Sequence, residues 1–181
     1  MRPIPFALLA ALLLVAPAAG EVAEPATISS GPMQSETPAT LSGAEVVDAA
    51  AVARLKDEGA VLLDVGPPTP KPSTMPDGAP WMPVHMSVPG AVWLPGAGAG
   101  NLGLEAQARF AERIEALTGG DKSKPIVVFC HPKCWASWNA GKKLVLLGYR
   151  KVRWFPGGAE AWQERYDAAP LSQDRQWVQS R

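Results

Sequence analysis

The sequence has few histidines and cysteines and no excess of charge of either sign. Its 181 residues include two histidines, two cysteines, and 17 basic residues balanced by 17 acidic ones. Because the basic side chains do not gather into a stripe, nothing indicates binding to nucleic acid or to an anionic membrane surface. No segment after the first twenty residues is apolar enough to cross a membrane. These absences favour one globular domain whose chemistry depends on a few reactive side chains.

The first twenty residues have the pattern of a secretory signal peptide. Arg2 supplies the positive charge, residues 6–15 form a short apolar core, and residues 18–20 are small, as a signal peptidase requires. The apolar run is too short to span a bilayer, so we expect residues 1–20 to be removed on export to the periplasm, with no membrane span afterwards. Export would place both cysteines in an oxidising environment.

The rest of the chain divides into a lead-in, a folded domain and a tail. Residues 21–41 are rich in Pro, Ser, Thr and Ala, which predicts an extended lead-in. Residues 42–168 alternate short apolar segments with helical patterns, which predicts an α/β domain with a mostly parallel sheet covered by helices on both faces. Within it, the proline-rich residues 66–89 predict a long loop that acts as a flap or cover. Residues 169–181 form a polar tail.

Both cysteines lie in the segment around which the domain is organised. Residues 126–129 predict a buried strand, Cys130 follows it directly, and Cys134 comes four positions later. Ser137 is a suitable N-cap for the helix that we expect over residues 138–147. A thiol between a strand end and a helix N-terminus lies among free N–H groups that stabilise a thiolate. The pattern therefore predicts a reactive site in this cysteine loop.

Motifs along the domain resemble those of rhodanese-like proteins. They are LLDV at 62–65, VPGAVWLP at 88–95, PIVVFC at 125–130, and the later LGY, GG and AW. The resemblance implies a rhodanese-like α/β fold in which Cys130 takes up sulfane sulfur as a persulfide and hands it on. The implied partners are a small sulfur donor or a thiol-bearing protein.

A narrower resemblance is to an exported subfamily, the PQQ-dependent catabolism-associated CXXCW motif proteins. It is carried by TPATL at 37–41, LTGGD at 117–121, and CW followed by SWNA and K within 134–142. This resemblance implies association with alcohol oxidation by quinoprotein dehydrogenases that use pyrroloquinoline quinone (PQQ). A PQQ-dependent dehydrogenase would then be a partner. In this chain the spacing counted from Cys130 is Cys-x-x-x-Cys.

The cysteine loop departs from the pattern of sulfur-transferring rhodaneses. Their loop is usually shorter and carries an arginine, whereas here Ala136 occupies the position before Ser137 where arginine is common. Phosphatases on this scaffold need that arginine to hold phosphate, so its absence argues against a phosphatase. Ser87 also replaces the histidine that usually precedes the Pro-Gly-Ala motif.

Our first hypothesis for the loop is thiol chemistry. Cys130 acts as the nucleophile, stabilised as a thiolate by loop N–H groups, the following helix and Lys133. Attack of Cys134 on an oxidised or persulfidated Cys130 would release the cargo and form an internal disulfide. The alternative is a permanent structural disulfide, but so small a ring stabilises the fold by only about 2 kcal/mol. We therefore favour a reactive pair.

The second hypothesis is metal binding without turnover. Cys130, His131 and Cys134 are soft ligands at close spacing that suit copper, and His85 in the proline-rich loop is a further candidate ligand. Against this, each histidine is better explained as a solvated loop residue.

The third hypothesis is a non-catalytic module that binds a quinone cofactor such as PQQ. Trp135 is expected to be exposed and to stack on the planar ligand, while Lys133 meets its carboxylates. Trp93, Trp154 and Trp162 are better explained by core packing.

The remaining candidate site residues surround Cys130. His131, Ala136 and Ser137 belong to the cysteine loop and are expected to line it. Asp64 ends its strand on the same side of a parallel sheet as Cys130, where such folds bind ligands. We expect Asp64 either to accept backbone hydrogen bonds from the loop or to remain solvated.

Overall fold

A computed structural model describes residues 22–68, 70–81 and 84–178 of the chain. The predicted signal peptide, residues 1–20, lies outside the described residues, as do the last three residues of the predicted tail. Within the described ranges, no helix has both the length and the apolar character needed to span a bilayer.

Five parallel strands form the central sheet, and a separate antiparallel pair lies beside it. The strands are β1 (Ala44–Val46), β2 (Val61–Asp64), β3 (His85–Ser87), β4 (Val92–Trp93), β5 (Ile126–Phe129), β6 (Val152–Phe155) and β7 (Ala169–Leu171). The order across the sheet is β1-β6-β5-β2-β4. Strand β5 is therefore central, and all four of its residues are buried, as the apolar run predicts.

Helices cover both faces of the sheet, which confirms the predicted fold class. They are α1 (Ala49–Asp57), α2 (Leu104–Thr118), α3 (Trp135–Leu146), α4 (Gly158–Gln163) and α5 (Arg175–Val178). Side chains alternate along β5, so Ile126 and Val128 pack with α2, α3 and α5, while Val127 and Phe129 pack with α1 and α4. The core roles predicted for Trp93, Trp154 and Trp162 are confirmed, since all three are buried.

Helix α3 begins earlier than the sequence predicts. Cys134 is its N-cap and Trp135 its first residue, so the expected start at residue 138 is wrong. Ser137 lies inside the first turn, where its hydroxyl donates to the Cys134 carbonyl at 3.2 Å. Burial of Trp135 and Trp138 on the domain sets the start of the helix and overrides the preference of serine for the N-cap.

Part of the predicted polar tail belongs to the folded domain. Strand β7 pairs antiparallel with β3, which lies in the segment expected to be mostly a proline-rich loop. After it, Trp177 of α5 is buried and packs edge-on against Phe110 of α2. A single apolar residue in a polar segment gives too weak a pattern to predict helix α5. The pairing of β3 with β7 was also not predicted, because each strand has only three residues.

The lead-in is extended, but it lies against the domain. Leu41 enters the core, and the Ser29 backbone exchanges two hydrogen bonds with the Asn139 side chain of α3, both 2.9 Å long. We call residues 28–36 the N-terminal strap. The strap crosses the start of α3 and reaches the cysteine loop.

Candidate functional site

The two cysteines lie at the junction of β5 and α3. Cys130 follows the last residue of β5, and Cys134 caps α3. They are joined by a disulfide, with 6.6 Å between their Cα atoms, a separation that disulfides commonly have. Both are buried, with exposed fractions of 1% and 4%. The loop thus brings the cysteine pair within bonding distance, as the first hypothesis requires.

The N-terminus of α3 favours negative charge on Cys134. Because the helix begins at Trp135, the N–H groups of its first turn, of which that of Trp135 donates to the Met33 carbonyl, lie next to Cys134. The helix dipole adds a partial positive charge at the same place. In the reduced protein this position favours a thiolate on Cys134, whereas we expected the start of the helix to stabilise a Cys130 thiolate.

The start of α4 holds the other end of the loop. The Ala159 N–H donates to the Cys130 carbonyl at 2.9 Å. Gly158 has a φ of 62°, and a Cβ there would collide with the same carbonyl oxygen. Only glycine satisfies both conditions without strain. The Cys130 backbone is therefore held in place from the side of α4.

The strap lies along the cysteine loop like an additional strand. Its backbone contacts are Ser35 N–H to the Lys133 carbonyl (2.9 Å), Trp135 N–H to the Met33 carbonyl (2.8 Å), and an antiparallel bridge between Gln34 and Cys134. The Gln34 side chain also donates to the Pro132 carbonyl at 2.9 Å. The strap thus occupies backbone hydrogen-bonding groups of the loop.

Trp135 is covered by the strap, so the expectation that it is exposed is wrong. Its exposed fraction is 7%, and its indole N–H donates to the Ser35 hydroxyl at 3.0 Å. Its ring packs edge-on against Trp138, with 5.4 Å between the centroids. Such a buried ring offers no open face on which a quinone can stack.

Lys133 is drawn to the strap in this oxidised form. Its ammonium lies 2.5 Å from the Glu36 carboxylate, and that hydrogen bond raises the pKa of Lys133. Its backbone has a φ of 54°, a left-handed conformation that turns the loop towards α3. A role of Lys133 in stabilising the Cys130 anion stays a prediction.

Ala136 and Ser137 are buried in the first turn of α3. A Cβ at Gly98 would collide with the Ala136 backbone, which shows how closely the loop after β4 approaches. The Ser137 hydroxyl accepts from the Trp154 indole N–H at 3.1 Å, in addition to its bond to the Cys134 carbonyl. Both residues therefore fix the position of the helix start rather than line an open site.

Asp64 organises a buried polar cluster at the end of β2. Its carboxylate accepts from the Gly66 N–H at 2.8 Å and from the Ser87 hydroxyl at 2.6 Å. The same carboxylate lies 2.7 Å from Nε2 of His85, whose ring stacks on Trp93 at 4.0 Å. The backbone donor is Gly66, two residues after Asp64, and not the cysteine loop from which we expected the hydrogen bonds. The solvated alternatives for Asp64 and His85 are wrong, because both side chains are buried.

A second pair of histidine and carboxylate lies beside the first. Nδ1 of His131, in the cysteine loop, is 2.6 Å from the carboxylate of Glu160 on α4. The rings of His131 and His85 are perpendicular, with centroids 6.5 Å apart. A Cβ at Gly66 would lie 3.3 Å from His131 Nε2, so glycine at this position keeps space between the two pairs. Two histidine–carboxylate pairs therefore lie side by side, and one of them includes a residue of the cysteine loop.

The proposed copper ligands do not form a metal centre in this structure. Across the described parts of the chain, no group of three or more His, Cys, Asp or Glu side chains is arranged to hold a metal ion. Cys130 and Cys134 are bonded to each other, and a disulfide offers no thiolate ligand. His131 and His85 are each paired with a carboxylate instead. The residues present do not fit copper in this redox state.

The match to a family model decides the family. The rhodanese-like domain model matches residues 48–165, well over half of the chain. The chain belongs to the rhodanese-like domain family. The strap and the segment that forms β7 and α5 both lie outside the matched range.

Similar solved structures include three from different organisms. A rhodanese-like domain from Anabaena sp. is 19% identical and has a TM-score of 0.45, with 75% of this chain and 81% of that chain covered. A human single-domain sulfurtransferase is 19% identical, covers 67% and 97%, and has a TM-score of 0.43. A Saccharomyces cerevisiae protein is 17% identical, covers 66% and 91%, and has a TM-score of 0.39. No curated protein sequence matches this chain.

Proposed function

We propose that this rhodanese-like protein carries out sulfur transfer coupled to thiol–disulfide exchange, with Cys130 as the nucleophile and Cys134 as the resolving thiol. The observation that carries the proposal is the disulfide between them at the junction of a buried strand and a helix N-terminus. Membership of the rhodanese-like family supports thiol chemistry at this position.

The first step is the loading of the reduced protein. The Cys130 thiolate attacks the outer sulfur of a sulfane donor, which leaves a persulfide on Cys130 and releases the donor as its thiolate or sulfite.

The second step is release. The Cys134 thiolate attacks the inner sulfur, the Sγ of Cys130; the bond between the two persulfide sulfurs breaks, and hydrosulfide leaves. The product is the Cys130–Cys134 disulfide seen in the structure. Two electrons from a thiol-bearing protein, delivered by disulfide exchange, then restore both thiols. Without a sulfane donor, the same pair exchanges electrons with that partner.

The proposed setting is the periplasm, in a pathway of PQQ-dependent alcohol oxidation. The signal-peptide pattern of residues 1–20 supports export. The resemblance to the PQQ-associated subfamily supports a PQQ-dependent dehydrogenase as the partner. Co-purification of this chain with such a dehydrogenase from periplasmic extract would support the pathway. Absence of this chain from the periplasm would contradict the proposed setting.

Intact-mass spectrometry tests the sulfur chemistry. The reduced protein is incubated with thiosulfate or a persulfide donor, in parallel with Cys130→Ser and Cys134→Ser variants. We expect Cys134→Ser to retain one added sulfur on Cys130, because the resolving thiol is missing, and Cys130→Ser to gain none. No added sulfur on Cys130 in any sample would contradict sulfur transfer.

A further inference from the structure

A cavity lies beside α2 and α3, away from the cysteine loop. Its volume is about 290 Å³, at the lower end of the range for small-molecule sites. Its apolar walls are formed by Ile28, Leu102, Phe110, Leu146 and Leu147. None of the residues of the cysteine site lines this cavity.

Lys143 is the charged residue in the cavity wall. Its ammonium donates to the Ala97 carbonyl at 2.9 Å and the Ala99 carbonyl at 3.0 Å. An ammonium has three N–H donors, so one remains after these two bonds. Among the described residues, no carboxylate forms a salt bridge with Lys143. Burial alone lowers the pKa of Lys143 to about 8, so at neutral pH it is still mostly a cation that lacks a counter-anion.

The rim of the cavity is apolar and open to solvent. Leu146, on the last turn of α3, has an exposed fraction of 70%. Phe110, by contrast, is fully buried and forms the inner wall. An exposed apolar rim next to an unpaired cation matches a ligand with a hydrocarbon body and a single negative group.

The geometry points to a binding site for a small carboxylate with a hydrocarbon tail. The carboxylate accepts from the free N–H of Lys143, and the tail lies between Phe110, Leu102 and Leu146. The small volume favours a medium-chain acid over a full-length lipid chain. Lys143 lies nine residues after Cys134, about 13 Å along α3, so the site is separate from the cysteine pair.

The test is a calorimetric titration of the oxidised full chain with sodium octanoate, 1-octanol and octylammonium chloride. We expect octanoate to bind at least about tenfold more tightly than either of the others, because it alone forms a charge-assisted hydrogen bond with Lys143. Equal affinities for octanoate and octanol would overturn the role of Lys143. No saturable binding of octanoate would overturn the site.

Two variants and a matched control locate the binding. Lys143→Met is expected to lose at least about tenfold in octanoate affinity, while Lys142→Met, in the adjacent residue whose ammonium faces the Trp138 ring, keeps it. If Lys143→Met does not fold, Leu146→Asp replaces it, because this change at an exposed position repels the carboxylate without disturbing the core. Unchanged octanoate binding in Lys143→Met or in Leu146→Asp would overturn the assignment.

A readout on the native chain separates ligand binding from self-association. Octanoate should protect Lys143 from reductive methylation, and Lys142 should be methylated equally with and without it. Light scattering is done on the same samples. If the chain is a dimer that Leu146→Asp converts to a monomer, the cavity rim is covered by a second copy of the chain, and the ligand assignment is overturned.

Discussion

Gln34 of the strap pairs as an antiparallel bridge with Cys134, one half of the disulfide. A partner that binds by adding a strand would need the same backbone groups. The strap also lies outside the segment that matches the rhodanese-like family. In this protein, therefore, the chain itself covers the position where the proposed thiol-bearing partner would approach.

Loosening the strap should make the cysteines more reactive. Ser35→Pro removes the N–H that donates to the Lys133 carbonyl and the hydroxyl that accepts from Trp135. Each lost hydrogen bond contributes about 1 kcal/mol, so we expect alkylation of the reduced cysteines by iodoacetamide to become about 5- to 30-fold faster. Ser35→Ala removes only the hydroxyl and should have a smaller effect. Equal alkylation rates in all three proteins would show that the strap does not limit access.

Removing the Asp64 carboxylate should strongly destabilise the domain. Asp64→Ala leaves the Gly66 N–H, the Ser87 hydroxyl and the His85 ring without their acceptor in a buried place. We expect the free energy of unfolding in urea to fall by about 3 kcal/mol or more, because each orphaned group costs about 1–3 kcal/mol. Asp57→Ala, at an exposed position, should change it by less than about 0.5 kcal/mol. A similarly small loss for Asp64→Ala would refute the role of the cluster.

Alanine substitutions at Gly158 and Gly148 distinguish the cost of a strained backbone from the cost of a steric collision. Both have a positive φ, but a Cβ collides with the Cys130 carbonyl at Gly158 and meets open space at Gly148. Gly148→Ala should therefore cost about 1 kcal/mol. Gly158→Ala should cost clearly more, because the loop must also shift, and it should change the reduction potential of the cysteine pair. Thermal unfolding and a redox titration of both variants check this, and identical behaviour would contradict the proposed support of the loop by α4.

The contribution of Lys143 to the free energy of unfolding should become more favourable as the pH rises. Burial lowers its pKa from 10.5 to about 8 in the folded protein. Between these values the unfolded chain binds more protons than the folded one, so stability rises with pH across this window. The difference in unfolding free energy between wild type and Lys143→Met should therefore move in favour of wild type from pH 8 to pH 10.5. A difference that stays constant across this window would contradict the shift.

Local patterns predicted the frame of the site well. The apolar run at Ile126–Phe129 is enough to predict a buried strand. Cys130 is the next residue, so its position at the end of that strand follows directly. The order of strands and helices then indicates a parallel sheet. These features depend on residues that are close in sequence, which is why a single sequence reveals them.

Long-range contacts explain what the sequence did not reveal. Trp135 looked exposed because the residue that covers it, Ser35, lies 100 positions earlier. His85 is held by Asp64 across 21 positions. The sequence of His85–Ser87 gives no signal of this, because its one apolar residue, Met86, is exposed while the two polar residues are buried. Such contacts have no local period, so neither the strap nor the buried polar cluster was predicted.

The reduction potential of the Cys130–Cys134 pair tests the central claim most directly. The full chain is equilibrated in glutathione buffers of graded potential, free thiols are alkylated, and the reduced fraction is read by mass spectrometry. A reactive pair should be half reduced in the range of thiol exchange proteins, about −120 to −270 mV. A pair that is still oxidised below about −300 mV would be a structural disulfide and would contradict the account.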